Sequence, residues 1–349
     1  MGFNRLECDH SVFIYMRGNV RIIVPVHVDD LLLASNNKKA LTQFKTELGK
    51  RFKIRDLGPV EQILGIHLER DRPNRTISLS QTRYIEDMIR EVIGDTPFNG
   101  THIPMDDVKL TARMGPNTKE QEELMQHVDY RALVGKLLYL SIATRPDISY
   151  AVGVLCRFND NPGPQHWDAA KKVLRYLQQT KKLKLVYSPS DSLEPFVVFS
   201  DADLGGDPDT TRSTAGYVTR IGSGAGSWGS RLQRHTSLSS TEAEYTTASA
   251  AGTELMWMRY FLEECGYNMT RPSTLLIDNA SAIQVAKNPE HQSTMKHVHR
   301  EYHWIRENVE RGLIRVAHVA GIDNVADIFT KPLKRPTFSR LRALLGLRF

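Results

Sequence analysis

The feature that most limits the fold of this chain is an alternation of strand-length and helix-length runs from Phe196 onward. The strand-length runs read PFVVFSDAD, STAGYVTRIG, GSWGSRLQ, STLLIDN and GLIRVAHV. Between and after them stand helix-length runs, namely STEAEYTTASAAGTELMWMRYFLEECG, MKHVHREYHWIRENVERG and NVADIFTK. Strands and helices interleaved in this way predict a mixed α/β sandwich, in which helices flank a sheet.

Acidic residues stand at the ends of these elements. Asp201 and Asp278 each end a predicted strand, Glu244 lies in the first turns of the long helix, and Asp327 lies near the start of a late helix. Strand ends and helix starts can converge at one edge of a sheet. Clustered carboxylates repel one another, and divalent cations that prefer oxygen ligands, Mg²⁺ or Mn²⁺, relieve that repulsion. The pattern therefore predicts a metal site, and two ions roughly 3.5–4 Å apart are a common arrangement for phosphodiester hydrolysis.

A second acidic feature lies near the start of the chain, in VPVHVDDLLLAS. Asp29 and Asp30 interrupt two short apolar runs that we expect to form a hairpin. Placing two adjacent carboxylates there is costly unless they are paired or bind a metal. The pair therefore indicates a functional role.

The remaining segments suggest three regions. NKKALTQFKTELGKRF predicts an amphipathic helix, and EQILGIHLERD with RTISLSQ predicts a strand pair. A Pro- and Gly-rich connector over 94–118 precedes a helical stretch over 121–180, and DSLEP marks a second boundary. We expect domains at 1–95, 96–194 and 195–349.

Charge and cysteine content limit the partners. The net charge is +6, and the runs AAKKVLRYLQQTKKLKL and FTKPLKRPTFSRLRALLGLRF contain Lys and Arg but no acidic residue. Such runs favour a nucleic-acid backbone as partner. The candidate contact residues are Lys171, Lys172, Arg175 and Lys331. Three widely spaced cysteines argue against a disulfide framework, and the longest apolar run is too short for a membrane span, so we expect an intracellular, non-membrane protein.

Several motifs together resemble the C-terminal part of the Pol polyprotein of copia-type LTR retrotransposons. They are HVDDLLLAS, LGIHLER, SLSQTRYIEDMI, YRALVGKLLYLSIATRPDISYAV, HWDAAKKVLRYLQQT, SDAD, RSTAGYV, SWGSRLQ, SLSSTEAEY, LLIDN, KHVHREYHWIRE and NVADIFTKPL. The resemblance implies a ribonuclease H-like mixed sheet, preceded by a partial reverse-transcriptase palm and a helical thumb or connection region. It also implies cleavage of the RNA strand of an RNA–DNA hybrid.

Carried over residue by residue, the resemblance implies Asp201, Glu244, Asp278 and Asp327 as catalytic ligands of two Mg²⁺ or Mn²⁺ ions. Asp203 is the alternative to Asp201, and Glu242 is the alternative to Glu244. We prefer Asp201 because it heads SDAD, and Glu244 because it matches the Glu of AEY. His318 resembles a histidine that assists product release in many ribonucleases H.

In the same family, HVDD corresponds to the polymerase YxDD box, with His27 in place of the usual tyrosine. The third polymerase aspartate lies upstream in the family, so Asp29 and Asp30 are expected to be half of a polymerase site. The implied partners are an RNA–DNA hybrid and the rest of the Pol polyprotein, in the cytoplasm within a virus-like particle or in the nucleus. The alternative is a catalytically inactive, nucleic-acid-binding remnant of a truncated element.

Overall fold

The computed structural model describes residues 2–94, 99–189, 194–287 and 301–349, with the side chains of 301–303 excepted. They form two compact units, one of residues 1–61 with 253–272 and the other of residues 62–252 with 273–349. The boundary expected between residues 95 and 96 lies outside the described residues. The three-domain division stays a prediction.

The strands and helices are, in chain order, β1 (Asn4–Arg5), β2 (Val12–Arg17), β3 (Val20–His27), β4 (Asp30–Leu31), β5 (Ala34–Ser35), α1 (Lys38–Gly49), β6 (Gln62–Ile63), β7 (Ile66–Asp71), β8 (Thr76–Ser80), α2 (Thr82–Ile93), α3 (Lys119–Gln126), α4 (Tyr130–Ala143), α5 (Ser149–Cys156), α6 (Pro164–Thr180), β9 (Lys184–Tyr187), β10 (Phe196–Ala202), β11 (Thr214–Ile221), β12 (Gly224–Leu232), α7 (Ser240–Glu264), β13 (Ser273–Ile277), α8 (Ala280–Lys287), α9 (Glu301–Glu310), β14 (Ile314–His318), α10 (Arg335–Leu344) and β15 (Leu347–Arg348). Short 3₁₀ helices cover Ala112–Met114, Pro146–Ile148, Gly321–Asp323 and Val325–Phe329.

The first unit is a small antiparallel sheet with the C-terminal half of α7. Its strands lie in the order β1-β2-β3-β4, and β5 also pairs with β3. Alternate side chains of a strand point to opposite faces, so Val12 and Ile14 of β2 lie on one face. They form a small core with Leu6 and with Cys265, which directly follows α7.

The second unit contains the mixed sheet predicted from the alternating runs. Its order is β12-β11-β10-β13-β14. β10, β11 and β12 pair antiparallel, whereas β10 with β13 and β13 with β14 pair parallel. Parallel neighbours need a crossover connection, and α7 lies in the chain between β10 and β13. This arrangement confirms the predicted α/β class with a ribonuclease H-like mixed sheet flanked by helices.

A further antiparallel sheet in the second unit has the order β15-β9-β8-β7-β6. The predicted strand pair appears as β7 and β8. β15 was not predicted, because two residues carry too little pattern to identify a strand. It pairs Leu347 with Leu185 and Arg348 with Lys184, so the end of the chain completes this sheet.

Helices α2, α4, α5, α6 and α10 share one hydrophobic core with the sheets of the second unit. At the RPD sequence, Arg145 and Asp147 form a fully buried pair, with nitrogen–oxygen distances of 2.9 and 2.8 Å. The Arg145 guanidinium also donates to Thr180 on α6, and the Tyr176 hydroxyl donates to Asp147. These bonds satisfy a charged pair that burial would otherwise make costly.

Two predicted helices differ in part from those in the structure. NVADIF was expected to be a helix of ordinary type, but Val325–Phe329 is a 3₁₀ helix whose start is fixed by Asn324. The helix expected over MKHVHREYHWIRENVERG is present as α9, and its predicted first turns lie outside the described residues. Among the described helices, none has the length and apolar character needed to cross a bilayer.

Candidate active site

The site begins at the shared edge where the parallel strands β10 and β13 end. Asp201 is the penultimate residue of β10 and is 2% exposed. Asp278 directly follows β13, whose Leu276 lies opposite Phe199. Because parallel neighbours end at the same edge of a sheet, the two carboxylates lie close together.

Helix α7 adds the third carboxylate. Glu244 lies in the second turn of the helix and is 6% exposed. Oxygen atoms of Asp201, Glu244 and Asp278 all lie within 4.8 Å of one another. Such spacing allows one cation to contact all three.

Asp327 reaches this edge on the 3₁₀ helix Val325–Phe329. The Asn324 side chain donates to the Ser200 carbonyl at 3.0 Å and accepts from the Ala326 N–H at 3.2 Å. Gly216 on β11 permits the close approach, since a Cβ there would lie 2.7 Å from Thr330 Cγ2. Together these contacts anchor Asp327 beside β10.

The residues after Asp327 also contact the cluster. The Thr330 hydroxyl donates to Asp201 Oδ2. Lys331 Nζ lies 2.8 Å from Asp327 Oδ1 and 3.6 Å from Asp201 Oδ2. Asp327 is therefore paired with an ammonium group, whereas Glu244 and Asp278 form no ion pair with another described residue.

The electrostatics of the cluster follow from burial and like charge. Burial, followed by the charges of Asp201 and Asp278, raises the pKa of Glu244 to about 9. Burial and Asp201 raise the pKa of Asp327 to about 7, against the opposing effect of Lys331. Burial opposes the charged form of Lys331, but Asp201 and Asp327 outweigh it and raise the pKa of the ammonium.

These residues fit a divalent cation. Glu244 Oε2 is buried and has no hydrogen-bond partner among the described residues, so one carboxylate oxygen of Glu244 is available to a cation. Three converging carboxylates that repel each other are the donor set that Mg²⁺ or Mn²⁺ binds.

The two alternative acids have other contacts. Asp203 Oδ1 accepts a hydrogen bond from the Thr214 N–H and so closes the loop between β10 and β11. Glu242 Oε2 accepts from the Leu238 N–H at 2.8 Å, just before α7, which is a helix-capping role. The structure thus brings Asp201 and Glu244 together and gives Asp203 and Glu242 local structural contacts.

The other predicted site residues lie elsewhere. His318 ends β14 opposite Ile277, the residue before Asp278, and its side chain is exposed. Asp29 and Asp30 belong to the first unit, where Asp29 lies on the turn after β3, Asp30 begins β4, and both side chains are exposed. The catalytic role of His318 and the polymerase role of the aspartate pair stay predictions.

The four predicted nucleic-acid contacts differ in their exposure and in their ion-pair partners. Arg175 is exposed on α6. Lys171 pairs with Asp168 at 2.7 Å, and Lys172 pairs with Asp106. Lys331 lies in the carboxylate cluster instead of on an open basic surface. Sequence reasoning missed this placement, although the spacing of Asp327 and Lys331 by four residues was a signal for a pair.

Comparison with known proteins finds a reverse-transcriptase family model and proteins of transposons. Residues 1–107 match the family model described as reverse transcriptase (RNA-dependent DNA polymerase). The chain is 38% identical over 332 residues to the retrovirus-related Pol polyprotein from transposon TNT 1-94 of Nicotiana tabacum, covering 93% of this chain and 24% of that protein. It is 35% identical over 257 residues to the putative transposon Ty5-1 protein of Saccharomyces cerevisiae, covering 73% of this chain and 80% of that protein. The chain thus spans about a quarter of the length of the TNT 1-94 polyprotein.

A solved structure is also similar in part. It is an N-terminal ribonuclease H domain from Mycobacterium tuberculosis, fused to maltose-binding protein. The match has 14% identity and a TM-score of 0.28, and it covers 42% of this chain and 96% of that chain.

Proposed function

The chain belongs to the family of copia-type retrotransposon Pol polyproteins, and on this premise we propose that its mixed sheet carries a metal-dependent ribonuclease H. The substrate would be the RNA strand of an RNA–DNA hybrid, cut internally by hydrolysis. The observation that carries the proposal is the convergence of Asp201, Glu244 and Asp278 at one sheet edge.

Each residue of the cluster has a defined task in this proposal. Asp201, Glu244 and Asp278 would hold Mg²⁺ or Mn²⁺. The bound ion would supply an activated water and stabilise charge on the phosphate. Thr330 fixes the rotamer of Asp201 by its hydrogen bond, and Asn324 fixes the turn that carries Asp327. The two-ion arrangement implied by the family would also require Asp327, which is paired with Lys331.

The hybrid would be bound mainly through its backbone. Proteins recognise A-form-like duplexes through shape, phosphates and 2′-hydroxyls more than through base edges. Arg175 is the exposed member of the basic set on α6, and Lys171 and Lys172 would exchange their surface acid partners for phosphates. Binding of this kind weakens steeply as the salt concentration rises.

RNA-directed DNA polymerase activity is proposed only for longer Pol proteins of the family. Residues 1–107 match the reverse-transcriptase model, and Asp29 and Asp30 would be part of its metal site. His318 would assist product release from the nuclease site.

Cleavage of a labelled RNA–DNA hybrid in Mg²⁺ and in Mn²⁺ tests the proposal, with Asp278→Asn as the site variant. Removing one carboxylate from the metal ligands should lower the cleavage rate by roughly 100-fold or more. Asp323→Asn is the matched control, because Asp323 is exposed and pairs with Arg340 at 3.0 Å outside the cluster. It should cleave as the unchanged chain does. A folded chain that binds the hybrid but leaves it intact in both metals would overturn the proposal in favour of an inactive nucleic-acid-binding remnant.

A further inference from the structure

The four carboxylates at the sheet edge divide into two groups with different neighbours. Asp201, Glu244 and Asp278 approach each other within 4.8 Å. Asp327 instead has the Lys331 ammonium 2.8 Å from its Oδ1. Asp201 belongs to both groups, because the same ammonium lies 3.6 Å from its Oδ2.

The Lys331 ammonium places a positive charge beside two carboxylates of the cluster. This ammonium neutralises charge on Asp327 and Asp201, the two carboxylates that a second divalent ion would need as ligands. Lys carries a compact point charge on a flexible stem, so it can hold such a position and also leave it. The Lys331 side chain is 43% exposed, which leaves it a route to solvent.

We propose that Lys331 takes the place of the second cation, so that the chain free of nucleic acid binds one divalent ion through Asp201, Glu244 and Asp278. The second ion competes with the ammonium for Asp327 and Asp201 and enters only when Lys331 withdraws. This inference deepens the proposed ribonuclease H function and rests on it for the identity of the metal site. It assigns Lys331 a task distinct from contact with the nucleic-acid backbone.

The two-site competition predicts opposite results for two substitutions at one position. Lys331→Met removes the charge but keeps an unbranched side chain, so Asp327 and Asp201 become free to bind metal. Lys331→Arg keeps a positive charge beside the same carboxylates and should leave the second position closed. Lys171→Met is a matched control, since it removes an ammonium paired with Asp168 at 2.7 Å on α6.

The experiment is a Mn²⁺ titration of the full chain without nucleic acid, with free Mn²⁺ counted by electron paramagnetic resonance. The unchanged chain, Lys331→Arg and Lys171→Met should each bind one Mn²⁺. Lys331→Met should bind a second Mn²⁺, with an affinity roughly ten-fold or more above any second binding by the unchanged chain. Equal stoichiometry and affinity in the unchanged chain and Lys331→Met would overturn the inference, as would two tight Mn²⁺ ions in the unchanged chain.

Thermal unfolding provides a second readout and guards against a folding defect. Without metal, Lys331→Met leaves the negative charges of Asp201 and Asp327 without a positive partner. The Tm of this variant in EDTA should therefore fall below that of Lys331→Arg. Saturating Mn²⁺ should restore most of the difference, because a ligand that binds only the folded state stabilises it. A deficit that Mn²⁺ leaves unchanged would count against the inference.

Failure of the function and failure of the inference are distinguishable. The titration needs no substrate, so a chain that binds Mn²⁺ in the expected pattern but cuts no hybrid would refute only the nuclease activity. A chain that cuts the hybrid but shows no effect of Lys331→Met on Mn²⁺ binding would refute only the role of Lys331.

Discussion

Glu244 is the residue whose chemistry depends most on its surroundings. In the folded chain its pKa is raised from 4.5 to about 9, first by burial and then by Asp201 and Asp278. The folded state therefore keeps a proton that the unfolded chain releases above pH 4.5. A state that binds more protons loses stability as the pH rises. The cluster thus opposes folding at neutral and alkaline pH unless a cation binds.

We expect the metal-free chain to lose stability as the pH rises from about 4.5 towards about 9. Glu244→Gln removes the titrating group and should flatten this fall, by on the order of 1–3 kcal/mol in the free energy of unfolding. Urea unfolding in EDTA at several pH values measures this fall in the free energy of unfolding. Saturating Mn²⁺ should flatten the fall in the unchanged chain, because the ion competes with the proton. Parallel pH curves for the unchanged chain and Glu244→Gln would contradict the expectation.

The sequence could predict that Asp201, Glu244 and Asp278 lie at one edge of the sheet, because local patterns identify the ends of strands and the start of a helix. It could not predict the environment of Lys331, which depends on a 3₁₀ turn anchored by Asn324 to a strand over 100 residues earlier in the chain. A basic residue in a run without acidic residues resembles a phosphate contact until the fold brings a carboxylate beside it. The pairing is therefore a tertiary property.

The strand β15 depends on a single backbone position, Gly346, which directly precedes it. The Val186 N–H donates to the Gly346 carbonyl at 2.9 Å just before β15. Gly346 has a φ of +87°, and a Cβ there would lie 2.7 Å from Gly224 Cα. Both the left-handed conformation and the approach of two backbones therefore require glycine.

Gly346→Ala should destabilise the chain by more than about 2 kcal/mol, since it combines backbone strain with a collision that no side-chain movement relieves. Gly312→Ala is the matched control, because Gly312 has a φ of +68° and nothing within 4 Å of the added Cβ. Gly312→Ala should lower the free energy of unfolding by about 1 kcal/mol, because it adds backbone strain without a collision. Urea unfolding of both variants gives the comparison, and equal losses would show that crowding at Gly346 has no effect.

On the scale of the whole chain, the first unit joins segments that are far apart in sequence. The Glu264 carboxylate accepts hydrogen bonds from the Glu7 N–H at 2.6 Å and the Cys8 N–H at 3.2 Å. The Trp257 indole donates to the Cys8 carbonyl at 3.1 Å. Local periodicity identifies β3 and α7 separately, but it contains no information that the end of α7 packs on β2. This pairing could not be predicted from the sequence.

Glu264→Ala should loosen this attachment and expose two thiols. Cys265 is 1% exposed, and burial together with Glu264 raises the pKa of Cys8 to about 11. Loss of the carboxylate lowers the pKa of Cys8 and frees the backbone of residues 7 and 8, so both thiols should react faster. We expect roughly ten-fold faster labelling by a thiol reagent, since local opening governs access to buried groups.

Mass spectrometry of the labelled peptides separates Cys8 and Cys265 from Cys156, which lies at the end of α5 in the other unit and should keep its rate. Glu263→Ala is the matched control, because Glu263 pairs with Arg259 at 3.1 Å on the same helix. Unchanged labelling of Cys8 and Cys265 in Glu264→Ala would refute the attachment.

The parallel register of β10 and β13 limits where copies of such a gene can gain or lose codons. Successive residues of a strand face opposite sides, so in-frame loss of one codon within Val197–Ser200 would turn Asp201 away from Glu244 and Asp278. The loop between β10 and β11 can gain or lose codons without changing the side to which any strand residue points. Length changes among copies that keep Asp201 together with Glu244 and Asp278 should therefore collect in that loop and be absent from the strand.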